Sequence, residues 1–222
     1  MNKVALFDFC ETIANFQTAD AFIDYVRSIT RRRSMINKEK IRLFLKRTYI
    51  LKVLGRIYPR YSLNKRLILW QLRGFTEHEL EQYAQTYYEV KIKPNLISDV
   101  VKELINHQNN GWRVLIVSAG YEIYLKYFCL DFNIPLEDLI AVKIKFKRDL
   151  CLGCFDGGDR LWDKIDKLNE RFDRSSLISI AYSDSPTDLP LLKWAKEAVV
   201  VRRSDKISWS NNLNFKEIVW SK

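Results

Sequence analysis

Residues 3–13 have the sequence KVALFDFCETI, in which a short apolar run is followed by Asp8, Cys10, Glu11 and Thr12. A run of apolar, β-branched and aromatic residues this short is typical of a strand buried on both faces of a parallel sheet. An ionised carboxylate is costly to bury at the end of such a strand unless another group offsets its charge. This stretch therefore predicts a buried first strand whose final carboxylate has a partner.

The composition is that of a folded cytoplasmic protein. Its 222 residues are 47% hydrophobic and 13% aromatic, enough for one α/β core and a smaller inserted unit. We expect neither a signal peptide nor a membrane span, and therefore reduced thiols for the four cysteines. His78 and His107 are the only histidines, which argues against histidine catalysis, and we expect both at the surface.

The charge is distributed unevenly along the chain. Between Arg27 and Arg73 there are fifteen Lys or Arg residues against a single acid, Glu39, so that this segment has a net charge of +14. The whole chain has a net charge of +10, and the remainder is therefore acidic. An asymmetry of this kind gives information about partners more than about fold.

The hydrophobic pattern divides the chain into two units. From 14 to 93 apolar residues recur three and four apart, which predicts helices that include residues 38–55 and a helix capped by Thr76 and Glu79. From 94 onward predicted strands alternate with helices, and the strands end with EAVVV at 197–201. The pattern predicts an α/β core with a parallel sheet, formed by 1–13 and 94–222, and a helical domain inserted at 14–93.

Polar residues follow three of the predicted strands. Asp8 ends the first, Ser118 the second, and Asp184 with Asp188 a later one, while Lys164 begins a helix between the last two. Ligands of parallel α/β sheets bind beyond the carboxyl ends of the strands. Carboxylates that converge there repel one another unless a cation lies between them, and all-oxygen ligation suits Mg²⁺.

These motifs, in this order, resemble those of the haloacid dehalogenase (HAD) superfamily. The matching stretches are FDFCET, VLIVSAG, a Lys after a glycine-containing loop, and YSDSPTDLPLL. The helical insert after the first motif is similar to that of the phosphoserine-phosphatase-like branch, and the likeness covers nearly the whole chain. It implies a Rossmann-like core with an α-helical cap, and a Mg²⁺-dependent phosphatase or phosphotransferase that works through an aspartyl-phosphate.

The resemblance also assigns roles to residues. Asp8 is expected to be the nucleophile, with Thr12 in the same motif, while Ser118 and Lys164 are expected to bind the phosphoryl group. A carboxylate can approach a phosphate dianion only if positive charge cancels their repulsion. Lys167 lies on the same predicted helix as Lys164 and is the alternative to it.

The implied metal site consists of oxygen atoms. Asp8, the backbone carbonyl of Cys10 and Asp184 are expected to bind Mg²⁺, with Asp188 as a further ligand or in support. Asp188 could instead only cap the following helix. Cys151 and Cys154 form a CxxC, but zinc requires four ligands, and we interpret them as loop cysteines.

Cys10 departs from the family pattern DxDxT, in which the second Asp protonates the leaving group and then activates water. A thiol titrates at about 8.5, so it can donate a proton at neutral pH but is a poor base. Losing general acid–base catalysis costs a factor of about 10²–10⁴ in rate. Three hypotheses remain open: a slow or specialised phosphatase, an enzyme that transfers the phosphoryl group, and a retired scaffold that acts as a binding protein.

The substrate is the least determined feature. In phosphoserine phosphatases an acid nine residues after the nucleophile binds the substrate ammonium, but Gln17 occupies that position here, with Asp20 or Asp24 as substitutes. We therefore expect a small phosphorylated substrate other than phosphoserine. The basic insert is either an ordinary helix pair with a charged solvent face or a contact for an anionic membrane or lipid phosphate. Nucleic acid ranks last, since no binding motif supports it.

Overall fold

A computed structural model describes residues 2–57, 63–157 and 164–221, and its centre is a seven-stranded sheet. The strand order is β4-β3-β2-β1-β5-β6-β7, and only the β3–β4 pair is antiparallel. The predicted α/β class and parallel sheet are confirmed. The strands are β1 (Asn2–Phe7), β2 (Arg113–Tyr121), β3 (Leu139–Lys147), β4 (Leu150–Asp156), β5 (Leu177–Ser183), β6 (Glu197–Arg203) and β7 (Lys216–Trp220).

Helices surround the sheet, and the first six α-helices lie between β1 and β2 in the chain. The α-helices of the described residues are α1 (Thr18–Thr30), α2 (Arg33–Arg47), α3 (Ile50–Ile57), α4 (Leu63–Trp70), α5 (Glu77–Tyr87), α6 (Ser98–Asn109), α7 (Glu122–Asp131), α8 (Lys164–Arg171) and α9 (Leu189–Trp194). The predicted capping box is confirmed, since Thr76 and Glu79 bond reciprocally at the start of α5. None of these helices is long and apolar enough to cross a membrane.

The central strand is buried on both faces, as its uniformly apolar sequence predicts. Val4 and Leu6 belong to one apolar cluster, which contains residues of α8 and α9. Ala5 and Phe7 belong to the other, which contains residues of α6 and α7. Because successive side chains of a strand point to opposite faces, this alternation places β1 in the middle layer of a three-layer core.

The inserted helices are joined to the sheet through β4. The backbone N–H of Gly74 donates to the Cys151 carbonyl at 2.9 Å, and the N–H of Cys151 donates to the Phe75 carbonyl at 2.8 Å. The sequence at 149–158 is compatible with a hairpin or a loop, and the structure shows a hairpin of β3 and β4. The interpretation of Cys151 and Cys154 as loop cysteines is wrong, because both belong to β4. Gly153 lies between them with φ of +68°, and this glycine makes the sequence of the strand resemble that of a turn.

Three other predictions need correction. Residues 38–55 do not form one helix, because Tyr49 has φ of +60° and separates α2 from α3. EAVVV is not the last strand, since β7 follows at the sheet edge. His107 is buried, not exposed, with Nε2 2.8 Å from the Tyr182 hydroxyl, whereas His78 is exposed as predicted. The predicted helical residues 161–163 lie outside the described part of the chain.

Candidate active site

The candidate site lies where three neighbouring strands end. Phe7, the last residue of β1, is aligned with Ile116 of β2 on one side and with Tyr182 of β5 on the other. Asp8 and Asp184 each follow one of these strands directly. The parallel pairing therefore brings their carboxylates, and Ser118 near the end of β2, to the same edge of the sheet, as the sequence predicts.

Lys164 joins two of the predicted carboxylates. Its Nζ donates to Asp8 Oδ1 at 3.0 Å and to Asp188 Oδ1 at 2.9 Å, and its side chain is only 7% exposed. Ser183 Oγ donates to the other oxygen of Asp188 at 3.0 Å. Lys167 lies farther out, 3.8 Å from Glu170 at the surface. Of the two lysines considered, the geometry thus places Lys164 at the carboxylates.

Thr12 connects the carboxylates of Asp8 and Asp184. Its hydroxyl accepts from the backbone N–H of Asp184 at 3.0 Å and lies 3.3 Å from Asp8 Oδ2 and 3.1 Å from Asp184 Oδ1. The hydroxyl has one hydrogen and can donate to only one carboxylate at a time. The oxygen of the other carboxylate, to which Thr12 does not donate at that moment, is therefore left for another partner.

The electrostatics of the site favour a bound cation. Burial raises the pKa of Asp8 to about 6, with Lys164 opposing and Asp188 reinforcing the rise. Burial, followed by the nearby charge of Asp8, raises the pKa of Asp184 to about 7. Burial also works against the Lys164 ammonium, but Asp8 and Asp188 outweigh it and raise its pKa. One ammonium among three carboxylates leaves a net negative charge that a divalent cation would offset.

The side chains of the site supply only some of the ligands that a Mg²⁺ ion would need. Among the described residues no group of three or more His, Cys, Asp or Glu side chains is arranged to hold a metal. Asp188 is engaged by Lys164 and Ser183, so the available carboxylates are those of Asp8 and Asp184. Mg²⁺ commonly binds one or two carboxylates and keeps several waters, which is compatible with two carboxylates and the Cys10 carbonyl.

Ser118 is held by the irregular last residues of β2, where the pairing with β3 shifts register. It is 2% exposed, and its Oγ accepts from the backbone N–H of Gly120 at 3.0 Å. A Cβ at Gly120 would lie 2.7 Å from the Tyr124 hydroxyl oxygen, so this close approach requires glycine. Gly120 was not singled out from the sequence, although its place directly after the strand-ending Ser-Ala pair was a usable signal.

A family model and several solved structures match this chain. The family model described as haloacid dehalogenase-like hydrolase matches residues 5–193. The chain belongs to this family. No curated protein matches it significantly.

Solved structures of the same fold include hydrolases and proteins of unknown function. A protein with unknown function from Bordetella pertussis Tohama I has a TM-score of 0.76 and 17% identity over 98% of this chain and 99% of its own. A phosphoserine phosphohydrolase-like protein from Francisella tularensis has a TM-score of 0.60 and 20% identity over 90% and 87%. A phospho-aspartyl intermediate analogue of phosphoserine phosphatase has a TM-score of 0.52 and 17% identity over 90% and 86%.

In this HAD-family hydrolase Cys10 belongs to a buried polar chain. Its sulfur lies 3.0 Å from Thr18 Oγ1, which is 2.9 Å from the Tyr124 hydroxyl. Burial, together with the charge of Asp8, raises the Cys10 pKa to about 11. The thiol is therefore protonated at neutral pH and can donate a proton but not accept one. Thr18 and Tyr124 were not found from the sequence, since only folding brings them to Cys10.

Residues far along the chain complete the rim of the site. Trp209 Nε1 donates to the Asp184 carbonyl at 2.8 Å, and Lys206 Nζ lies 3.3 Å from Glu11 Oε1. Gln17 Nε2 donates to the other oxygen of Glu11 at 2.7 Å. No sequence signal indicated Trp209 or Lys206. Gln17, at the position that carries an acid in phosphoserine phosphatases, is thus paired with Glu11.

A small cavity of about 20 Å³ lies beside the site, between inserted helices and the sheet. It is lined by Asp20 of α1, Lys65 of α4 and Phe155 of β4, together with Ala119, which follows Ser118. Burial raises the pKa of Asp20. Asp24, the other predicted substitute for the missing acid, forms an ion pair with Arg27. Asp20 is therefore the better placed of the two.

Proposed function

We propose that this hydrolase is a Mg²⁺-dependent phosphomonoester phosphatase that works through an aspartyl-phosphate on Asp8. The observation that carries the proposal is the buried Lys164 ammonium, 3.0 Å from Asp8 and 2.9 Å from Asp188 at the end of the central strand. An ammonium fixed there serves a reaction in which a carboxylate meets a phosphate dianion. The structural neighbour described as a phospho-aspartyl intermediate analogue supports the same chemistry.

The chain's own residues would act as follows. A carboxylate oxygen of Asp8 attacks phosphorus, the bond from phosphorus to the leaving oxygen breaks, and the phosphoryl group is left on Asp8. Lys164 and the Ser118 hydroxyl stabilise the phosphoryl oxygens. The Thr12 hydroxyl holds the carboxylates of Asp8 and Asp184 close together through its contacts of 3.3 and 3.1 Å. Mg²⁺ bound by Asp8, Asp184 and the Cys10 carbonyl would offset the remaining negative charge.

Cys10 determines the relative rates of the two half-reactions, which are the formation of the aspartyl-phosphate and its hydrolysis. A thiol with a pKa of about 11 can give its proton to a leaving oxygen, which assists the first step. After the first step the Cys10 thiolate regains a proton from solvent, because its pKa lies far above neutral pH. The protonated thiol cannot take a proton from water, so water then attacks the aspartyl-phosphate without a base from this position. The phosphoenzyme is then longer-lived than in an enzyme with DxDxT, and transfer to an acceptor other than water competes with hydrolysis.

We also propose that residues 14–93 form a cap over a core of 1–13 and 94–222. The cavity between Asp20, Lys65 and Phe155 supports this division, since it lies between helices of the insert and the sheet, next to Ser118. Phosphoserine is disfavoured because Gln17, not an acid, occupies the position that binds the ammonium, and Gln17 is already bonded to Glu11.

The proposal is tested by a panel of sugar, polyol, amino-acid and lipid phosphates assayed with Mg²⁺. Asp99 is exposed on α6, so Asp99→Asn is the matched control for Asp8→Asn. We expect turnover by the wild type and by Asp99→Asn, and a loss of about 10³-fold or more in Asp8→Asn. Turnover unchanged by Asp8→Asn contradicts the proposal. Binding of a phosphorylated compound without turnover supports the rival hypothesis of a retired scaffold.

A further inference from the structure

Helix α2 contacts its own protein mainly through polar side chains, unlike an ordinary surface helix. Of its fifteen residues, Arg33–Arg47, only Met35 is buried. The side that faces the protein carries Glu39 and Arg42, whose side chains are 13% and 15% exposed. Arg42 Nε donates to Glu39 Oε2 at 2.7 Å, and Glu39 also accepts at 2.7 Å from Gln71, the residue that follows α4. The helix is thus held to its own protein by polar contacts.

The opposite side of α2 carries apolar side chains. Leu43 and Phe44 follow Ile36 by seven and eight residues, so the three side chains lie on one helix face. Phe44 is 62% exposed. Two apolar residues that follow in the sequence, Tyr49 and Val53, are also exposed, at 67% and 54%. Seven of the fifteen large apolar side chains that are exposed among the described residues lie between 36 and 53. Scattered exposed apolar residues are normal, but a concentration of this kind marks a contact site.

The region 31–56, which includes this segment, also carries exposed positive charge. Seven of its Lys and Arg side chains are exposed and form no ion pair with a described residue: Arg31, Arg33, Lys40, Lys46, Arg47, Lys52 and Arg56. The ion pairs of this region involve Arg27, Arg32 and Arg42 instead. We define the α2–α3 face as these seven cations together with Ile36, Leu43, Phe44, Tyr49 and Val53. It combines exposed apolar side chains with cations that form no ion pair with any described residue.

We infer that the α2–α3 face docks on an anionic phospholipid surface. Such a surface takes apolar side chains into its interface and binds Lys and Arg at its headgroups, so it uses both components of the face. A second copy of the chain would bring the same excess of positive charge against it. Nucleic acid would use the cations but leave Ile36, Leu43 and Phe44 in water.

The test measures the partition of the full chain onto vesicles by flotation. Vesicles of phosphatidylcholine alone are compared with vesicles that contain about one-third phosphatidylglycerol. The charge variant is the triple substitution Lys40→Gln/Arg47→Gln/Lys52→Gln. The apolar variant is the double substitution Leu43→Ser/Phe44→Ser. The control variant, Lys91→Gln/Lys193→Gln/Lys196→Gln, has the same net charge as the first but changes exposed lysines outside the face. Circular dichroism verifies that each variant is folded.

We expect the wild type to bind the anionic vesicles and not the neutral ones, and to bind more weakly as salt is added. The charge variant is expected to lower the partition coefficient about 100-fold, because each cation contributes about a fivefold gain near an anionic surface. The apolar variant is expected to lower it about tenfold or more. The control variant retains most of the binding.

Several results would overturn the inference. One is the absence of wild-type binding to anionic vesicles, and another is an equal loss in the control variant, which would make binding a matter of net charge. A wild-type dimer that Leu43→Ser/Phe44→Ser dissociates would assign the face to self-association. Tight binding of duplex DNA by the wild type and the apolar variant alike would assign it to nucleic acid. None of these results bears on the chemistry of Asp8, which is assayed with a soluble phosphomonoester.

Discussion

At the scale of single residues, Cys10 is the position at which this chain departs most from its family. Its sulfur is hydrogen-bonded within the Thr18–Tyr124 chain, and burial keeps its pKa at about 11. We expect Cys10→Asp to increase the rate of phosphoenzyme breakdown about 10²-fold, since the carboxylate supplies the missing base. The measurement is single-turnover kinetics on a phosphomonoester.

Cys10→Asn is the control for this substitution, because it has a similar size and cannot accept a proton. We expect it to give no increase. An equal increase in both variants would show that the rate depends on space or polarity at position 10 and not on a base.

Lys164 is the second residue on which the site depends. Its removal leaves Asp8 and Asp188 buried without their cation, so Lys164→Met is expected to lower the free energy of unfolding by about 3 kcal/mol in Mg²⁺-free buffer near neutral pH. Lys167→Met on the same helix is expected to change it by less than about 0.5 kcal/mol. Urea unfolding measures both, and equal effects would mean that Lys164 is not the buried partner.

At the scale of elements, the inserted helices are seated on the strand β4. A Cβ at Gly153 would lie 2.9 Å from Arg73 Cβ and 3.0 Å from Trp70 Cα, whereas a Cβ at Gly111 would meet nothing within 4 Å. The two glycines have nearly the same φ, +68° and +72°. Substitution by Ala therefore causes similar backbone strain at both, and the difference between the two variants measures the contact with α4.

We expect Gly111→Ala to cost about 1 kcal/mol in the free energy of unfolding, and Gly153→Ala to cost about 1–3 kcal/mol more. Denaturant unfolding of the two variants gives the difference directly. Equal costs would show that α4 does not rest on β4 in solution.

Helix α6 is docked on the sheet through His107. Burial lowers the pKa of His107, whose ring packs against Trp112 and lies 2.8 Å from the Tyr182 hydroxyl. The folded state therefore favours the neutral ring, and this contribution to stability is present above the unfolded pKa of about 6.5 and is lost as pH falls below it.

We expect the wild type to lose more stability than His107→Gln between about pH 7.5 and pH 5.5. The raised pKa values of Asp8 and Asp184 act in the opposite direction, so the comparison is between the two proteins and not between two pH values of one. Denaturant unfolding at both pH values measures it. The same pH dependence in both proteins would exclude a buried neutral His107.

At the scale of the whole molecule, the sequence predicts the sheet and its polar edge because both depend on local pattern. An apolar run that ends in Asp8, and others that end near Ser118 and Asp184, are visible without a structure, and parallel pairing then brings them together. The strand β7 was missed because it is five residues long at the sheet edge, with only Trp220 buried. Edge strands lack the continuous apolar signal of central ones.

Contacts between distant parts of the chain could not be predicted. Trp209 reaches the Asp184 carbonyl and Lys206 reaches Glu11 from segments whose composition gives no hint of a site. His107 was expected at the surface because one polar residue on an amphipathic helix does not reveal a buried partner such as Tyr182. The polar contacts between α2 and its own protein were likewise hidden, since periodicity alone does not tell which side of a helix faces the protein.

The central claim is that Asp8 becomes covalently phosphorylated, and intact-protein mass spectrometry with peptide mapping tests it most directly. The wild type, Asp8→Asn and Asp99→Asn are incubated with acetyl phosphate and Mg²⁺ and quenched in acid. We predict one added phosphoryl group, mapped to the peptide that contains Asp8, in the wild type and in Asp99→Asn, and none in Asp8→Asn. An unmodified wild type, or equal labelling of Asp8→Asn, would contradict the account.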